Sequence, residues 1–317
     1  LCVINNSKGA VLNCIALFLW PLNSSMKTIH VEASTYCNAR CPLCPRSLYG
    51  YKVEGVYPEV HLSVQKFKEA LERFPGREYV YFNGNLGDPM MNPKILELAN
   101  ITNCRTSITT NGSIGTQNTW QSLAKKNVEV VFSIDGLEDT NHLYRQDVEW
   151  NKLMDRVKWF IDAGGQATWK FITFKHNVHQ QEQAKQLSKQ LGFKEFLEEN
   201  HGRNYGPVLS KEGKITHWIL PADGSRQPTP YDVPAGIDRY KKTHENFFPE
   251  EKVYEIDCEH ETRSTVYIDA RGRIGPCCYQ GFDLPDLPFV EMKDFPEIKE
   301  SWQTNKCNFV CAMSCGK

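Results

Sequence analysis

Short segments in which apolar and polar residues alternate recur through the first 200 residues, as expected for half-buried strands. They occupy residues 27–34, 77–84, 105–112, 128–136 and 166–175, with a weaker sixth segment near 193–197. Between them, apolar residues recur at helical spacing over residues 62–74, 93–101, 151–165 and 181–193. This alternation predicts parallel βαβ units. Six units are too few for a closed eight-stranded barrel, so we expect an α/β fold built as a partial (β/α)6 barrel of the TIM type.

Polar residues or glycine stand at the carboxyl end of each of the first four predicted strands. These positions are a cysteine-rich loop after the first strand, and then Asn83-Gly84-Asn85, Thr110-Asn111-Gly112 and Ser133-Ile134-Asp135-Gly136. The carboxyl ends of parallel strands meet at one edge of a sheet, and α/β proteins place their sites there. We therefore predict a functional site at this edge.

The remaining segments differ in character from the βα series. Residues 200–257 are rich in Gly, Pro and Asp and lack clear periodicity, so we interpret them as a linker and covering loops between a barrel at 26–199 and a small domain at 258–317. Residues 1–25 contain an apolar run that is too short to span a bilayer. Because Met26 opens the first strand, we interpret Met26 as the natural start and residues 1–25 as an over-extended reading frame or a poorly packed leader, with a signal peptide or anchor as the alternative.

Composition adds one strong signal, which is cysteine. The formal net charge of −1 gives no polybasic field for nucleic acid or an anionic membrane. The chain has 12 cysteines, most of them in two groups, at 37–44 and 258–315. Grouped cysteines in a large chain indicate metal or iron–sulfur sites rather than a disulfide framework. Thiolate-held clusters suit a reducing compartment, so we expect a cytoplasmic protein.

The first group, Cys37, Cys41 and Cys44, has the spacing C-x3-C-x2-C. Disulfides pair cysteines in even numbers, and a structural zinc site usually takes four ligands. Three thiolates can instead hold three irons of a [4Fe–4S] cluster and leave the fourth iron open. A zinc loop or an inert cluster is the alternative interpretation.

This motif, placed directly after a first strand, resembles the radical SAM superfamily. The resemblance implies that the open iron binds the amino and carboxylate groups of S-adenosylmethionine (SAM). It further implies that one electron cleaves SAM to methionine and a 5′-deoxyadenosyl radical, which abstracts hydrogen from a substrate. A reducing electron donor such as a flavodoxin or ferredoxin is implied as a partner. The sequence identifies no catalytic residue beyond the cofactor site.

Further matches follow in order along the chain. Gly87-Asp88-Pro89 resembles the Gly-Gly-Glu-Pro element that contacts the SAM amino group, although Asp replaces Glu, Leu86 replaces the first Gly, and a plain turn would look the same. The resemblance also implies a SAM carboxylate contact for Arg145, since a guanidinium can bind a carboxylate with two hydrogen bonds. The candidate SAM-binding residues are Gly87, Asp88, Pro89, Asn111, Ser133, Asp135 and Arg145. One departure is Leu43, where the family commonly has an aromatic residue.

The second cysteine group resembles the twitch or SPASM extension of radical SAM enzymes. Cys258, Gly272 and Cys277 follow the spacing C-x13-G-x4-C of its opening half. The resemblance implies one auxiliary [4Fe–4S] cluster on Cys258, Cys277 and two of Cys307, Cys311 and Cys315, with Cys278 as a spare thiol. A zinc ribbon on the same cysteines is the alternative.

Together these features predict a radical SAM enzyme that acts on a peptide or on a sugar-like alcohol, as an oxidoreductase or a peptide-modifying enzyme. The alternative is a non-catalytic zinc or iron–sulfur protein.

Overall fold

The computed structural model describes residues 26–199, 205–246, 264–275 and residue 278. Six strands lie side by side in the order of the chain, and each runs parallel to the next. They are β1 (Thr28–Val31), β2 (Tyr79–Asn83), β3 (Arg105–Thr110), β4 (Glu129–Ser133), β5 (Ala167–Ile172) and β6 (Glu195–Glu199). The prediction of a parallel βα series with the character of a partial barrel is confirmed.

Helices cover the outside of this sheet. They are α1 (Val64–Glu72), α2 (Ile95–Asn100), α3 (Gln117–Lys125), α4 (Asn141–Tyr144), α5 (Trp150–Asp162) and α6 (Gln181–Leu191). Ser63 caps α1, because its hydroxyl oxygen accepts from the backbone N–H of Lys66. Helices α3 and α4 were not predicted; α3 buries only Trp120, Leu123 and Ala124, which is a weak periodic signal.

The core lies between the strands and the helices and is rich in aromatic rings. Trp120 of α3 stacks on Phe132 of β4 with ring centroids 5.3 Å apart, and Phe160 of α5 meets Phe132 at 6.0 Å. All three side chains are fully buried. Burial of each such ring stabilises the fold by about 2–3 kcal/mol, so this contact fixes α3 and α5 against the sheet.

A hairpin from the last part of the chain extends the sheet beyond β1. Strand β9 (Thr265–Ile268) pairs parallel to β1, and β10 (Ile274–Gly275) pairs antiparallel to β9. The turn needs Gly272, because its φ is +79° and a Cβ there would lie 2.7 Å from the Cβ of Lys66. Residues 264–272 thus contain β9 and its turn.

The structure differs from the sequence prediction within residues 200–257. Strands β7 (Gly206–Leu209) and β8 (Ile215–Ile219) form an antiparallel hairpin, and α7 (Val233–Asn246) follows. The strands are short, β7 contains a proline and is buried on both faces, and so neither shows alternation. The backbone N–H of Leu209 donates to the carbonyl of Tyr49 at 2.8 Å, which places this hairpin against the cysteine-rich loop.

Several predictions fall outside the described residues. These concern the leader at 1–25 and five of the second-group cysteines, namely Cys258, Cys277, Cys307, Cys311 and Cys315. The domain boundaries at 26, 200 and 258 therefore stay predictions. Among the helices that the structure describes, none has the length and apolar character needed to cross a membrane.

Candidate active site

The loop that follows β1 carries the three cysteines of the first group. Cys41 is buried, and Cys37 and Cys44 are partly buried. The loop is fixed by its own bonds: the N–H of Cys44 donates to the carbonyl of Cys41 at 3.2 Å, and Nη1 of Arg46 donates to the carbonyl of Cys37 at 3.1 Å. Three thiols are thus held on one short, internally bonded loop.

Two polar side chains from other strand ends reach these thiols. Nδ2 of Asn111, after β3, lies 3.7 Å from Sγ of Cys37. Nη1 of Arg145, after α4, lies 3.5 Å from Sγ of Cys41. Burial raises the pKa of Cys41 to about 11, although the charge of Arg145 opposes the shift. The thiol is therefore protonated until a metal displaces its proton.

The donor set of this loop fits an iron–sulfur cluster. Within the described residues, no three His, Cys, Asp or Glu side chains surround a position for a single metal ion. A [4Fe–4S] cluster takes each thiolate on a different iron, so its three protein ligands need not share one ion position. Cys37, Cys41 and Cys44 would be those ligands.

Asp88 joins the end of β2 to the end of β3. Its carboxylate accepts from the N–H of Met90 at 2.9 Å, from the N–H of Asn111 at 2.8 Å and from the hydroxyl of Thr110 at 2.8 Å. Asp88 is 4% exposed, and burial raises its pKa against these donors and the charge of Arg145. The carboxylate predicted to contact SAM is thus bonded within the protein, and it orders the segment that carries Asn111.

The turn after β2 is built on a residue that the sequence analysis missed. The carboxylate of Glu32, at the end of β1, accepts from the backbone N–H groups of Asn85, Leu86 and Gly87 at 2.7, 3.2 and 3.1 Å. Glycine is required at Gly87, because a Cβ there would lie 2.0 Å from the carbonyl oxygen of Ser34. In the sequence, Glu32 is one polar residue in an alternating strand. Its role is evident only in the structure, where its side chain is buried in the protein.

Asp135, which is buried, and Arg145, which is partly buried, form an ion pair after β4. Nε of Arg145 donates to Oδ2 of Asp135 at 2.6 Å, and Oδ1 of Asp135 accepts from the N–H of Ile172 at 2.7 Å. Burial opposes the charge on Arg145, but Asp135 and Cys41 raise the pKa of Arg145 overall. Burial raises the pKa of Asp135, and Arg145 is the main opposing influence. The guanidinium is therefore held in one orientation beside the cysteine loop.

Asn177 supports this pair from the segment after β5, and it is not among the site residues predicted from the sequence. Its Nδ2 donates to the carbonyls of Asp135 and Ile172, each at 2.9 Å, and its Oδ1 accepts from the N–H of Phe174 at 2.7 Å. Asn177 is fully buried. Its signal in sequence is only that of a polar residue just after a strand.

The remaining predicted residues lie at the same edge. Ser133 ends β4 and is buried, and Pro89 opens a short 3₁₀ turn that Asp88 caps. Leu43 packs beside the β7–β8 hairpin, where a Cβ on Gly206 would lie 3.0 Å from Cδ2 of Leu43. The structure thus brings the ends of β1 to β4 together as predicted.

This site agrees with a match to a known protein family. The model of the radical SAM superfamily matches residues 31–185, from the end of β1 into α6. That range contains the three cysteines, Asp88 and the Asp135–Arg145 pair. Residues 31–185 of this chain therefore form a radical SAM domain.

Comparison with individual proteins gives one curated relative. The tungsten-containing aldehyde ferredoxin oxidoreductase cofactor-modifying protein of Pyrococcus furiosus is 28% identical over 116 residues, which cover 35% of this chain and 32% of that protein. The match therefore spans about a third of the relative's length.

Solved structures share the fold at low sequence identity. SuiB of Streptococcus suis bound to S-adenosylmethionine has a TM-score of 0.55 at 16% identity, covering 89% of this chain and 67% of SuiB. SuiB bound to the precursor peptide SuiA gives 0.53 at 16% identity, covering 89% and 66%. The protein anSMEcpe with bound AdoMet and the Cp18Cys peptide gives 0.51 at 16% identity, covering 91% and 83%.

Proposed function

We propose that this chain is a radical SAM enzyme that cleaves S-adenosylmethionine reductively and abstracts a hydrogen atom from a substrate. One observation carries the proposal: the partly buried Arg145 bonds Asp135 through Nε while its Nη1 contacts Sγ of Cys41. This arrangement places a fixed guanidinium, which is suited to a carboxylate, beside a candidate cluster ligand.

In this proposal, different residues bind the cluster, the SAM carboxylate and the SAM amino group. Cys37, Cys41 and Cys44 hold a [4Fe–4S] cluster, which when bound supplies the electron that cleaves SAM to methionine and a 5′-deoxyadenosyl radical. Arg145 binds the SAM carboxylate, and Asp135 keeps the guanidinium in the required orientation. The turn at Gly87 binds the SAM amino group.

Asn111 and Ser133 complete the SAM site in this proposal. Asn111 is held by Asp88 and lies beside Cys37, so its amide borders the cluster. Ser133 lies at the end of β4, where its hydroxyl contacts the ribose of SAM. Pro89 follows Asp88 in the short turn and keeps that turn in place.

The substrate is a peptide or a sugar-like alcohol. Two of the fold neighbours have peptides bound, SuiA in SuiB and the Cp18Cys peptide in anSMEcpe, and this supports the peptide class. The proposed auxiliary [4Fe–4S] cluster on Cys258, Cys277 and two of Cys307, Cys311 and Cys315 would accept an electron from a product radical. A ferredoxin or flavodoxin would supply the first electron.

Anaerobic reconstitution tests this function. Iron and sulfide are measured, dithionite and SAM are added, and 5′-deoxyadenosine is quantified. We expect about eight irons per chain, four for each of two clusters, together with SAM cleavage. Bound zinc without iron, or full clusters that never cleave SAM, would favour a non-catalytic metal-binding protein.

Replacement of the first-group cysteines assigns the site. Cys37, Cys41 and Cys44 changed together to Ala should abolish cleavage and remove about four irons. Cys104→Ala is the matched control, because this free cysteine lies just before β3, away from the cysteine loop. Cleavage that survives in the triple variant would contradict the assignment.

A further inference from the structure

Glu32 is a buried carboxylate that neither metal ligation nor the predicted SAM contacts employ. It lies one residue beyond β1, five residues before Cys37, and it is 1% exposed. A buried carboxylate costs several kcal/mol unless donors surround it, so its retention needs a reason. Three successive N–H groups from residues 85–87 supply those donors.

The turn at residues 84–87 wraps closely around this carboxylate. A Cβ on Gly84 would lie 1.7 Å from the carbonyl oxygen of Gly87 and 3.2 Å from Oε1 of Glu32, so no side chain fits there. The N–H of Asp88 donates to the carbonyl of Tyr36 at 2.8 Å, which ties the turn to the residue before Cys37. The turn is therefore fixed at both of its ends.

The direction of these N–H groups sets the direction of the carbonyls. No described peptide bond is cis, and in a trans peptide the carbonyl points opposite to the N–H of the same unit. With the N–H groups of residues 85–87 aimed at Glu32, the carbonyls of residues 84–86 point away from it. Acceptors are thus presented on the far side of the turn.

The second contact of Glu32 comes from the C-terminal hairpin. The hydroxyl of Tyr267, on β9, donates to Oε2 of Glu32 at 3.3 Å, and the backbone N–H of Glu32 donates to the carbonyl of Ile268 at 2.8 Å. A continuous set of contacts therefore runs from the C-terminal hairpin to the turn after β2.

We propose that Glu32 is a positioning residue for the SAM amino group, and that Tyr267 ties the C-terminal hairpin to it. The proposal rests on the proposed SAM-binding function of Gly87. Glu32 acts through the turn at residues 84–87, whose carbonyls it directs outward to accept from the N–H groups of the SAM amino group. Ordering of the hairpin then supports SAM binding through the Tyr267 hydroxyl.

Glu32→Gln tests the proposal, because it keeps the size of the side chain and replaces one acceptor oxygen with an NH₂ donor that opposes the N–H groups of the turn. Iron content, and KM and kcat for 5′-deoxyadenosine formation, are measured on the reconstituted full chain. We expect unchanged iron, a nearly unchanged kcat and a KM for SAM raised about tenfold, the effect of losing one or two hydrogen bonds. A role limited to folding would lower iron and kcat together.

Tyr267→Phe provides a milder variant that tests the link to the hairpin. We expect a KM raised about threefold, consistent with loss of one hydrogen bond. In the double variant with Glu32→Gln, we expect no increase beyond Glu32→Gln alone, since the hydroxyl acts through the carboxylate. If Glu32→Gln fails to fold, an unchanged KM in Tyr267→Phe would by itself overturn the proposal.

Glu129→Gln is the matched control, because Glu129 pairs with Arg105 at the opposite end of the sheet. It should leave KM and iron at wild-type values. A Glu32→Gln enzyme with wild-type KM would overturn this inference and leave the proposed function standing. A wild-type protein that holds its cluster yet neither binds nor cleaves SAM would overturn the proposed function itself.

Discussion

Asp135 and Arg145 form an ion pair in which Nε of the guanidinium lies 2.6 Å from Oδ2, with 0% and 14% of the two side chains exposed. Because Nε is engaged by Asp135, the Nη groups remain on the side that reaches Cys41. The pair therefore links the end of β4 to the cysteine loop, and it fixes the direction in which Arg145 can bind an anion.

Asp135→Asn should weaken SAM binding without removing the cluster. The amide cannot balance the buried charge of Arg145, and truncating one partner of a buried pair costs about 3–5 kcal/mol. We expect a KM for SAM raised at least tenfold, together with a lower midpoint of thermal unfolding. Asp155→Asn, an exposed residue of α5, is the control and should change neither quantity. An unchanged KM for Asp135→Asn would show that the pair does not orient Arg145.

Gly87→Ala should destabilise the protein more than the same substitution at a glycine whose added Cβ would meet no neighbouring atom. Its Cβ would meet the backbone carbonyl oxygens of Ser34 and Tyr36 at 2.0 and 2.6 Å, and backbone cannot move aside as a flexible side chain can. We expect a loss of about 2 kcal/mol or more in the free energy of unfolding, with weakened SAM binding.

Gly224→Ala is the comparison for that variant. Gly224 has a φ of +68° and no atom within 4 Å of an added Cβ, so it measures backbone strain alone. We expect a loss of about 1 kcal/mol there and no change in SAM binding. Equal losses for the two variants, measured by urea denaturation, would contradict the close approach at Gly87.

The sequence predicts the strands and their shared edge because both depend on local periodicity. Alternation at 27–34 identifies two faces of β1, but it does not say whether the polar face meets solvent. Here the polar face is enclosed, since His30 and Glu32 are 3% and 1% exposed. The role of Glu32 therefore could not be predicted from the pattern that located its strand.

A single sequence also does not predict contacts between residues that lie far apart along the chain. Asp88 was predicted as a ligand contact, yet its carboxylate is satisfied by Thr110 and Asn111, more than 20 residues away. Arg145 meets Cys41 across 104 residues. Such pairings follow from strand order and packing, which a single sequence leaves open, whereas residue types at strand ends can be read directly.

The raised pKa of Glu32 predicts a pH-dependent stability. Burial raises the pKa of Glu32 from 4.5 to about 8, against the N–H donors of residues 85–87. Between these values the folded chain holds a proton that the unfolded chain has released. The free energy of unfolding should therefore fall as pH rises from about 5 to about 8, by at most about 1.4 kcal/mol per pH unit.

Urea denaturation of wild type and Glu32→Gln at pH 5.5, 7 and 8.5 measures this dependence. The difference between their free energies of unfolding isolates the contribution of Glu32 at each pH. The nearby Tyr267 has its pKa raised well above 10 by burial, so it adds no titration in this range. Glu129→Gln is the control: the Arg105 guanidinium lowers the pKa of Glu129 below 4.5, and its contribution stays constant above pH 5. Parallel curves for wild type and Glu32→Gln would contradict a proton on Glu32.

Leu43, which stands where the family commonly has an aromatic residue, lies beside the β7–β8 hairpin. Gly206 opens β7 against both Leu43 and Tyr49, where a Cβ would lie 3.0 Å from Cδ2 of Leu43 and 2.6 Å from Cε1 of Tyr49. A larger side chain at position 43 would press on this contact.

Leu43→Phe should therefore destabilise the protein by about 1–3 kcal/mol, the usual cost of adding volume to a packed contact. The hairpin would shift away from the cysteine loop, so we also expect faster loss of iron in air. Leu197→Phe on β6 is the control, because Leu197 is 36% exposed and should tolerate the ring within about 0.5 kcal/mol. A Leu43→Phe protein with wild-type stability and iron retention would show that the hairpin does not restrict this position, and that Leu43 reflects no packing constraint.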